Sequence, residues 1–306
     1  MINDFLQKRP VMLLDGAMGS ELHRRGVDIS LPLWSARALE TAPEVVQAIH
    51  QDYLAAGAQL LTANTFRTTT FTYQRAGLDE SPARKAARRA TKRAVSLARE
   101  AARDYPQSRV LVAGSVAPVG DCYTPGDYPG ADIARKTYRE LAEWLVAAGA
   151  DLLLLETHIT LEEALIALEA ATDTGLPVLV SYLINDDLKL WGGVSLSEAV
   201  RAAEGKGARG IMVNCVTLPV AQKGVEALSN LTALPYGVYA NAGRSQPAAE
   251  GIIEEFVTDE EYATAARGWL DLGARMIGGC CGTTPHTIVK LHRFLHTCES
   301  PRQFVT

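Results

Sequence analysis

Short apolar runs rich in Val, Ile and Leu alternate along the chain with longer stretches whose apolar residues recur at helical spacing. Eight such runs predict strands at Val11–Asp15, Gln59–Asn64, Val110–Ser115, Asp151–Glu156, Pro177–Tyr182, Gly210–Asn214, Tyr236–Asn241 and Arg275–Gly279. The first six are continuous, as in parallel strands buried on both faces; the last two are shorter. Between them the spacing predicts helices over Pro43–Ala56, Ser81–Asp104, Ala131–Ala148, Leu161–Thr172, Leu196–Glu204, Pro219–Ser229 and Asp259–Leu272, with Pro285–His296 closing the chain. Thr160, Ser195 and Thr258 stand where N-caps belong. Glycines such as Gly149 and Gly273 follow several helices, where a left-handed residue ends the turn.

Repeated (βα) units without a break in composition predict an α/β fold, a closed (β/α)8 TIM barrel forming a single domain over residues 1–306. An open doubly wound sheet is the alternative, but no Gly-x-Gly-x-x-Gly follows the first strand. Two excursions interrupt the alternation. Gly120–Gly130, with Pro125 and Pro129, predicts a loop over the barrel mouth; Met18–Ala42 carries Trp34.

Composition narrows the class. Of 306 residues 47% are hydrophobic, enough for a large core, and a net charge of −5 gives no reason to expect nucleic acid as partner. The one basic concentration, Arg84–Arg103, is interleaved with alanines and reads as a solvated helix face. No apolar run approaches the ~20 residues that span a bilayer, and Met1–Pro10 lacks a signal-peptide core, so no membrane association and a cytoplasmic location are expected. Cys122, Cys215, Cys280, Cys281 and Cys298 are too few for a disulfide framework and point to metal binding or catalysis.

The informative positions are the polar residues ending the apolar runs: Asp15, Asn64, Ser115, Glu156, Asn214 with Cys215, Asn241, and Cys280 with Cys281. In a barrel they share the C-terminal rim, where barrel enzymes build their sites, although each alone also fits an ordinary exit to solvent. Adjacent cysteines in a strand face opposite ways, so Cys280 and Cys281 serve one centre only if the chain leaves strand geometry, which the surrounding glycines permit. Three thiolates with a free fourth position describe a catalytic Zn2+ site. His292 and His296 lie four apart but lack the glutamate of a zinc-protease motif and read as surface or packing residues.

Three thiolates leave such a site negative, a poor setting for hydroxide but a good one for an electron-rich substrate thiolate. Asp15 and Glu156 suit a substrate ammonium, and the backbone at Gly16 and Gly19 is approachable by a carboxylate. An amino acid with a side-chain thiol meets all three requirements. The competing readings are a salt bridge for Glu156, a zinc-dependent thiol-binding protein without turnover, and thiol redox chemistry at Cys280-Cys281; a vicinal disulfide is strained and Cys-x-x-Cys is absent.

Taken together, Asp15-Gly16-Ala17-Met18-Gly19, Asn64-Thr65-Phe66, Gly114-Ser115, Glu156-Thr157, Val213-Asn214-Cys215, Asn241-Ala242-Gly243 and Gly278-Gly279-Cys280-Cys281-Gly282 resemble the zinc-dependent homocysteine S-methyltransferases, from about residue 11 to 295. The resemblance implies a barrel in which Cys215, Cys280 and Cys281 bind zinc and the sulfur of homocysteine completes the coordination. It implies that Asp15 and Glu156 hold the substrate ammonium, that Asn214 supports the site, and that Gly16, Trp34, Asn64 and Ser115 belong to the substrate pocket. It implies methyl transfer to homocysteine, giving methionine, without the folate and cobalamin modules of the large methionine synthases.

For the donor, Pro32-Leu33-Trp34-Ser35-Ala36 resembles members that use S-methylmethionine or S-adenosylmethionine, although a tryptophan face attracts a sulfonium or a quaternary ammonium alike, at ~0.5–2 kcal/mol. The betaine-using branch has a tyrosine shortly after its Asn-Thr-Phe equivalent, where this chain has Arg67; a cation pointing inward there would repel a cationic donor. Betaine or another methylammonium donor stays as the alternative, with a related thiol or selenol as alternative acceptor. Gly114–Val119 departs from the family's Gly-Ser-Val-Gly-Pro-Tyr, and the next loop holds Asp121 and Cys122. That loop and His158 are expected to alter specificity, unless His158 simply faces solvent; Cys122 and Cys298 carry no assigned role.

Overall fold

A computed structural model describes residues 5–7, 10–105, 109–247 and 252–298, without the side chains of 296–298. Eight strands form one parallel sheet: β1 (Met12–Leu13), β2 (Leu60–Ala63), β3 (Leu111–Val116), β4 (Leu152–His158), β5 (Val178–Tyr182), β6 (Gly210–Asn214), β7 (Tyr236–Ala240) and β8 (Met276–Gly279). Their order runs from β1 through β8 and β7 round to β2. The ring closes where Gln59 N donates to Leu13 O (2.7 Å), Leu14 pairs with Leu60, and Asp15 N donates to Leu60 O (3.0 Å). The (β/α)8 barrel expected from the alternation is the fold found.

Alternate strand residues fill the barrel: Leu14, Leu60, Leu111, Leu152, Leu154, Leu179, Met212 and Met276 pack a plug below the rim. The opposite faces, such as Leu13, Leu61, Val112, Leu153 and Leu155, pack under the helices. Truncating a plug residue such as Leu154 to Ala costs about 2–5 kcal/mol. A filled interior leaves the C-terminal rim as the place for a cavity.

The helices fall close to the expected bounds, including Pro43–Ala55, Ala131–Ala148, Leu161–Thr172 and Leu218–Leu231. The helix Glu80–Arg103 buries Ala83, Ala87, Ala90, Ala94 and Ala98 and exposes Arg84, Lys85, Arg88, Arg89, Lys92 and Arg93, a solvated basic face as read. Ser195 caps through Glu198 N, and Thr258 with Glu261 forms a reciprocal capping box. Thr160 does not cap: its hydroxyl is buried without a partner. His292 packs over Gly57, whose φ of 103° and missing Cβ admit the ring; the side chains of His296 and Cys298 lie outside the described residues. The short helices Met18–Arg24 and Thr70–Arg75 and a 3-10 turn at Trp34–Arg37 escape sequence reading, being too short for a periodic signal.

Candidate active site

Beyond β8 the chain departs from strand geometry through backbone bonds from Cys280 N to Ala240 O (2.8 Å), Ala242 N to Cys281 O (2.8 Å) and Thr283 N to Cys280 O (3.1 Å). Gly282 completes the turn at φ 81°. Both thiols thereby converge with Cys215, which follows β6 in a left-handed conformation (φ 55°) with its N–H on Tyr239 O. The three sulfurs lie within 4.8 Å of one another, with Cys215 and Cys281 Sγ 3.5 Å apart. All three cysteines are free thiols, not a vicinal disulfide. Tetrahedral zinc with Zn–S bonds of about 2.3 Å would hold sulfurs about 3.8 Å apart, so the cluster fits such an ion in both spacing and donor chemistry.

The electrostatics agree. Hydrogen bonds from Cys280 and Cys281 push the Cys215 thiol well below its ordinary range, while those two thiols are pushed up. Ionising all three calls for a cation.

Asp15 sits beyond β1 and receives Thr62 N at 2.7 Å and Thr62 Oγ1 at 2.9 Å. Glu156 is aimed by a bulge: β4 and β5 pair regularly to Leu155↔Val180, then shift before His158↔Tyr182. Its Oε1 accepts from Ser115 Oγ and its Oε2 from Tyr239 OH at 3.4 Å. Burial pushes each carboxyl up to about 7, and the charge of Asp15 adds to the effect at Glu156. Neither has an ion-pair partner among the described residues, which removes the salt-bridge reading of Glu156.

The other expected residues divide by what they touch. Gly16 and Ser115 line the cleft, and a Cβ on Gly16 would come within 2.8 Å of Tyr53 and Thr283. Asn214 lies behind it. Its Oδ1 accepts from Thr157 N (3.0 Å) and Ser181 Oγ (2.7 Å), and its Nδ2 donates to Thr157 Oγ1 (2.9 Å). These bonds hold Thr157 at φ 63°, beside Glu156. Asn64 lines the cleft but commits its amide to Ser35, through Ser35 Oγ (2.7 Å) and Ser35 O (2.9 Å). Trp34, at φ 47°, borders the cleft with its ring over Gly19 and edge-on to Phe66, centroids 5.3 Å apart.

At His158 the expectation changes: the ring faces neither solvent nor the cleft. It is fully buried behind β4, near Tyr138, with Nε2 on Val116 O, and burial lowers its pKa to about 4. Its strand position, past the bulge, turns it away from the cleft lining. Arg67 is buried in the cleft lining, donating to Gly120 O at 2.5 Å, with its guanidinium carbon over the Phe66 ring at 5.3 Å from the centroid. The Gly120–Gly130 loop does cover the mouth. It brings Cys122, whose thiol burial pushes up to about 12, and Tyr123, whose hydroxyl is 3.0 Å from Cys215 Sγ. Tyr123 and Tyr239 escape sequence reading, because Tyr123 lies in an aperiodic loop and Tyr239 has the pattern of an ordinary strand aromatic.

The cleft holds about 920 Å³ of empty space including its open mouth. No helix among the described residues is long and apolar enough to cross a membrane. Comparison with known proteins places the chain. The family profile described as homocysteine S-methyltransferase matches residues 12–295. The homocysteine S-methyltransferase of Escherichia coli K12 is 34% identical over 304 residues, covering 94% of this chain and 96% of that one. A selenocysteine methyltransferase of Astragalus bisulcatus is 27% identical, covering 98% and 97%. Among solved structures, the metallated form of the homocysteine methyltransferase MmuM from E. coli superposes with a TM-score of 0.84 at 30% identity, covering 95% of this chain and 99% of that one. This chain belongs to the homocysteine S-methyltransferase family.

Proposed function

We propose that the protein transfers a methyl group from a sulfonium donor, S-methylmethionine or S-adenosylmethionine, to the thiol of homocysteine, with zinc held by Cys215, Cys280 and Cys281. The observation that carries this reading is the convergence of three thiol sulfurs on the cleft that also contains two unpaired carboxylates. When bound, zinc lowers the pKa of the acceptor thiol so that its sulfur is a thiolate at neutral pH.

Asp15 and Glu156 receive the acceptor's ammonium. Thr62 fixes the first carboxylate through both oxygens, and Ser115 with Tyr239 fixes the second, so neither has to reorganise when the substrate arrives. Cys215, Cys280 and Cys281 determine where the acceptor's sulfur lies, and the ring of Trp34 offers its face to the donor's cationic centre. The thiol proton leaves before transfer. A bond then forms between the acceptor's sulfur and the methyl carbon as the donor's C–S⁺ bond breaks, its electron pair returning to the donor as a neutral thioether. Alignment in line is the main contribution of the fold, and no general base is required at the moment of transfer.

The selenocysteine methyltransferases among the relatives favour a selenol as a second acceptor to try. The test is metal analysis of the purified protein, then product formation from homocysteine with S-methylmethionine, S-adenosylmethionine or betaine. One zinc per chain and methionine from a sulfonium donor are expected. Thiol binding without product from any donor overturns the reading in favour of a binding protein, and turnover with betaine alone overturns the choice of donor.

A further inference from the structure

Arg67 is an unusual residue for a cleft that receives cations. It is 8% exposed and lines the cavity, yet it forms no ion pair among the described residues. One nitrogen of the guanidinium donates to Gly120 O, and its central carbon lies 5.3 Å from the centroid of the Phe66 ring. Nε is buried without a partner, and Nη2 makes no hydrogen bond within the described residues. The acid whose field it shares, Glu163, makes no ion pair with it among the described residues, and its Oε1 accepts from Val119 N and Tyr138 OH, each at 2.8 Å. A buried guanidinium with N–H groups unmet is costly unless an anion joins it, and a carboxylate is the anion whose chemistry a guanidinium suits.

We propose that Arg67 binds the carboxylate of the methyl donor and selects zwitterionic donors over bare cations, an assignment that rests on the methyl-transfer reading above. The acceptor's carboxylate is the other source of that chemistry, and placement argues against it. An amino acid carries its carboxylate within about 3 Å of its ammonium, so the acceptor's lies beside Asp15 and Glu156. Those two carboxyls are pinned to strand residues Thr62 and Ser115, whereas Arg67 is tied to Gly120 O, at the start of the loop beside the cleft. There it neighbours Phe66, which packs on Trp34, so one wall offers aromatic faces for a methylated cation and a guanidinium for an anion tethered to it. The donor's carboxylate neutralises the charge that would otherwise repel the donor's own cation.

The experiment compares Arg67→Met, which keeps the aliphatic stem, with the parent on three donors: S-methylmethionine, dimethylsulfoniopropionate and trimethylsulfonium, the last without a carboxylate. Arg67→Met is expected to lower kcat/KM about 10–100-fold with the two carboxylate donors, mainly through KM, and to leave trimethylsulfonium unchanged or improved. The KM for homocysteine stays within about threefold, and Arg67→Lys restores part of the loss. An equal loss on all three donors, or a rise confined to the homocysteine KM, overturns the assignment. If the parent turns over no donor, the methyl-transfer reading fails instead. Calorimetric binding of dimethylsulfoniopropionate then decides for Arg67: weakened binding in Arg67→Met supports it and equal binding refutes it.

Discussion

The two walls of the cleft are built differently. One wall is carried by strand ends: Glu156 stands on β4, and Asp15, Cys215 and the Cys280-Cys281 pair stand just beyond β1, β6 and β8, with their backbone or side chains pinned by barrel hydrogen bonds. The other wall is carried by connections: Trp34 on a 3-10 turn, Phe66 and Arg67 after β2, and Cys122 and Tyr123 in the loop after β3. The strand wall presents thiols and acids and suits a thiol-bearing amino acid. The loop wall presents aromatic faces and a cation. Under the proposed function the difference teaches that acceptor chemistry is fixed by the fold, while donor chemistry is open to change by loop substitution.

The sharpest way to break the comparison is at the strand wall. Cys280→Ala is expected to lose zinc and to lower methyl transfer roughly 1,000-fold or more, measured by metal analysis and methionine formation; full turnover in a zinc-free variant would falsify the mechanism. Next in size, Glu156→Gln is expected to lower kcat/KM for homocysteine about 100-fold. The same variant should raise the stability of the free protein at pH 8 by about 1–3 kcal/mol, read from urea midpoints. Its neutral amide avoids the cost of a buried charge, and the hydroxyls of Ser115 and Tyr239 can turn to accept from it.

The sign of the pH dependence follows from the same groups. Asp15 and Glu156 have folded pKa values of about 7, above their ordinary values, so the stability they confer is full below about pH 4 and is lost as pH rises through 7. The proposed ammonium binding needs them ionised and runs the other way. The KM for homocysteine should fall several-fold from pH 6 to pH 8 while the free protein loses stability over that window. Buried His50 and His158, with pKa values lowered to about 4, tilt stability oppositely near pH 6, so the difference between parent and Glu156→Gln is the quantity to read. A KM that rises with pH would remove the carboxylates from the ammonium site. The smallest effect is expected at the loop wall, where Trp34→Leu should raise the donor KM about 3–10-fold and leave the homocysteine KM alone. Equal changes in both would erase the division between the walls.

The same division governs what the sequence made legible. Asp15, Glu156, Cys215, Cys280 and Cys281 stand where apolar runs end, and the barrel topology alone converts those ends into one rim. Nothing periodic marks Tyr123 or the inward course of Arg67, because loop geometry is set by contacts such as Arg67 with Gly120 O, distant in sequence. His158 departs from its expected place for a related reason. Strand alternation gives a residue's face only while the register holds, and the bulge at Glu156 and Thr157 resets it. Asn64 illustrates a third limit: a polar residue at a strand end need not be free to bind substrate, and here both ends of its amide hold Ser35 in place.

The seam between β1 and β2 is the barrel's thinnest joint. Only a few backbone bonds cross it, and the ladder is extended by a side chain: the carboxylate of Asp15 takes Thr62 N–H where a further strand residue would supply a carbonyl. Asp15, which lines the cleft, is therefore also the last stitch of the cylinder. Its charge state bears directly on that bond, so under the proposed function slower hydrogen exchange at the Thr62 and Asp15 amides is the expected report of acceptor binding.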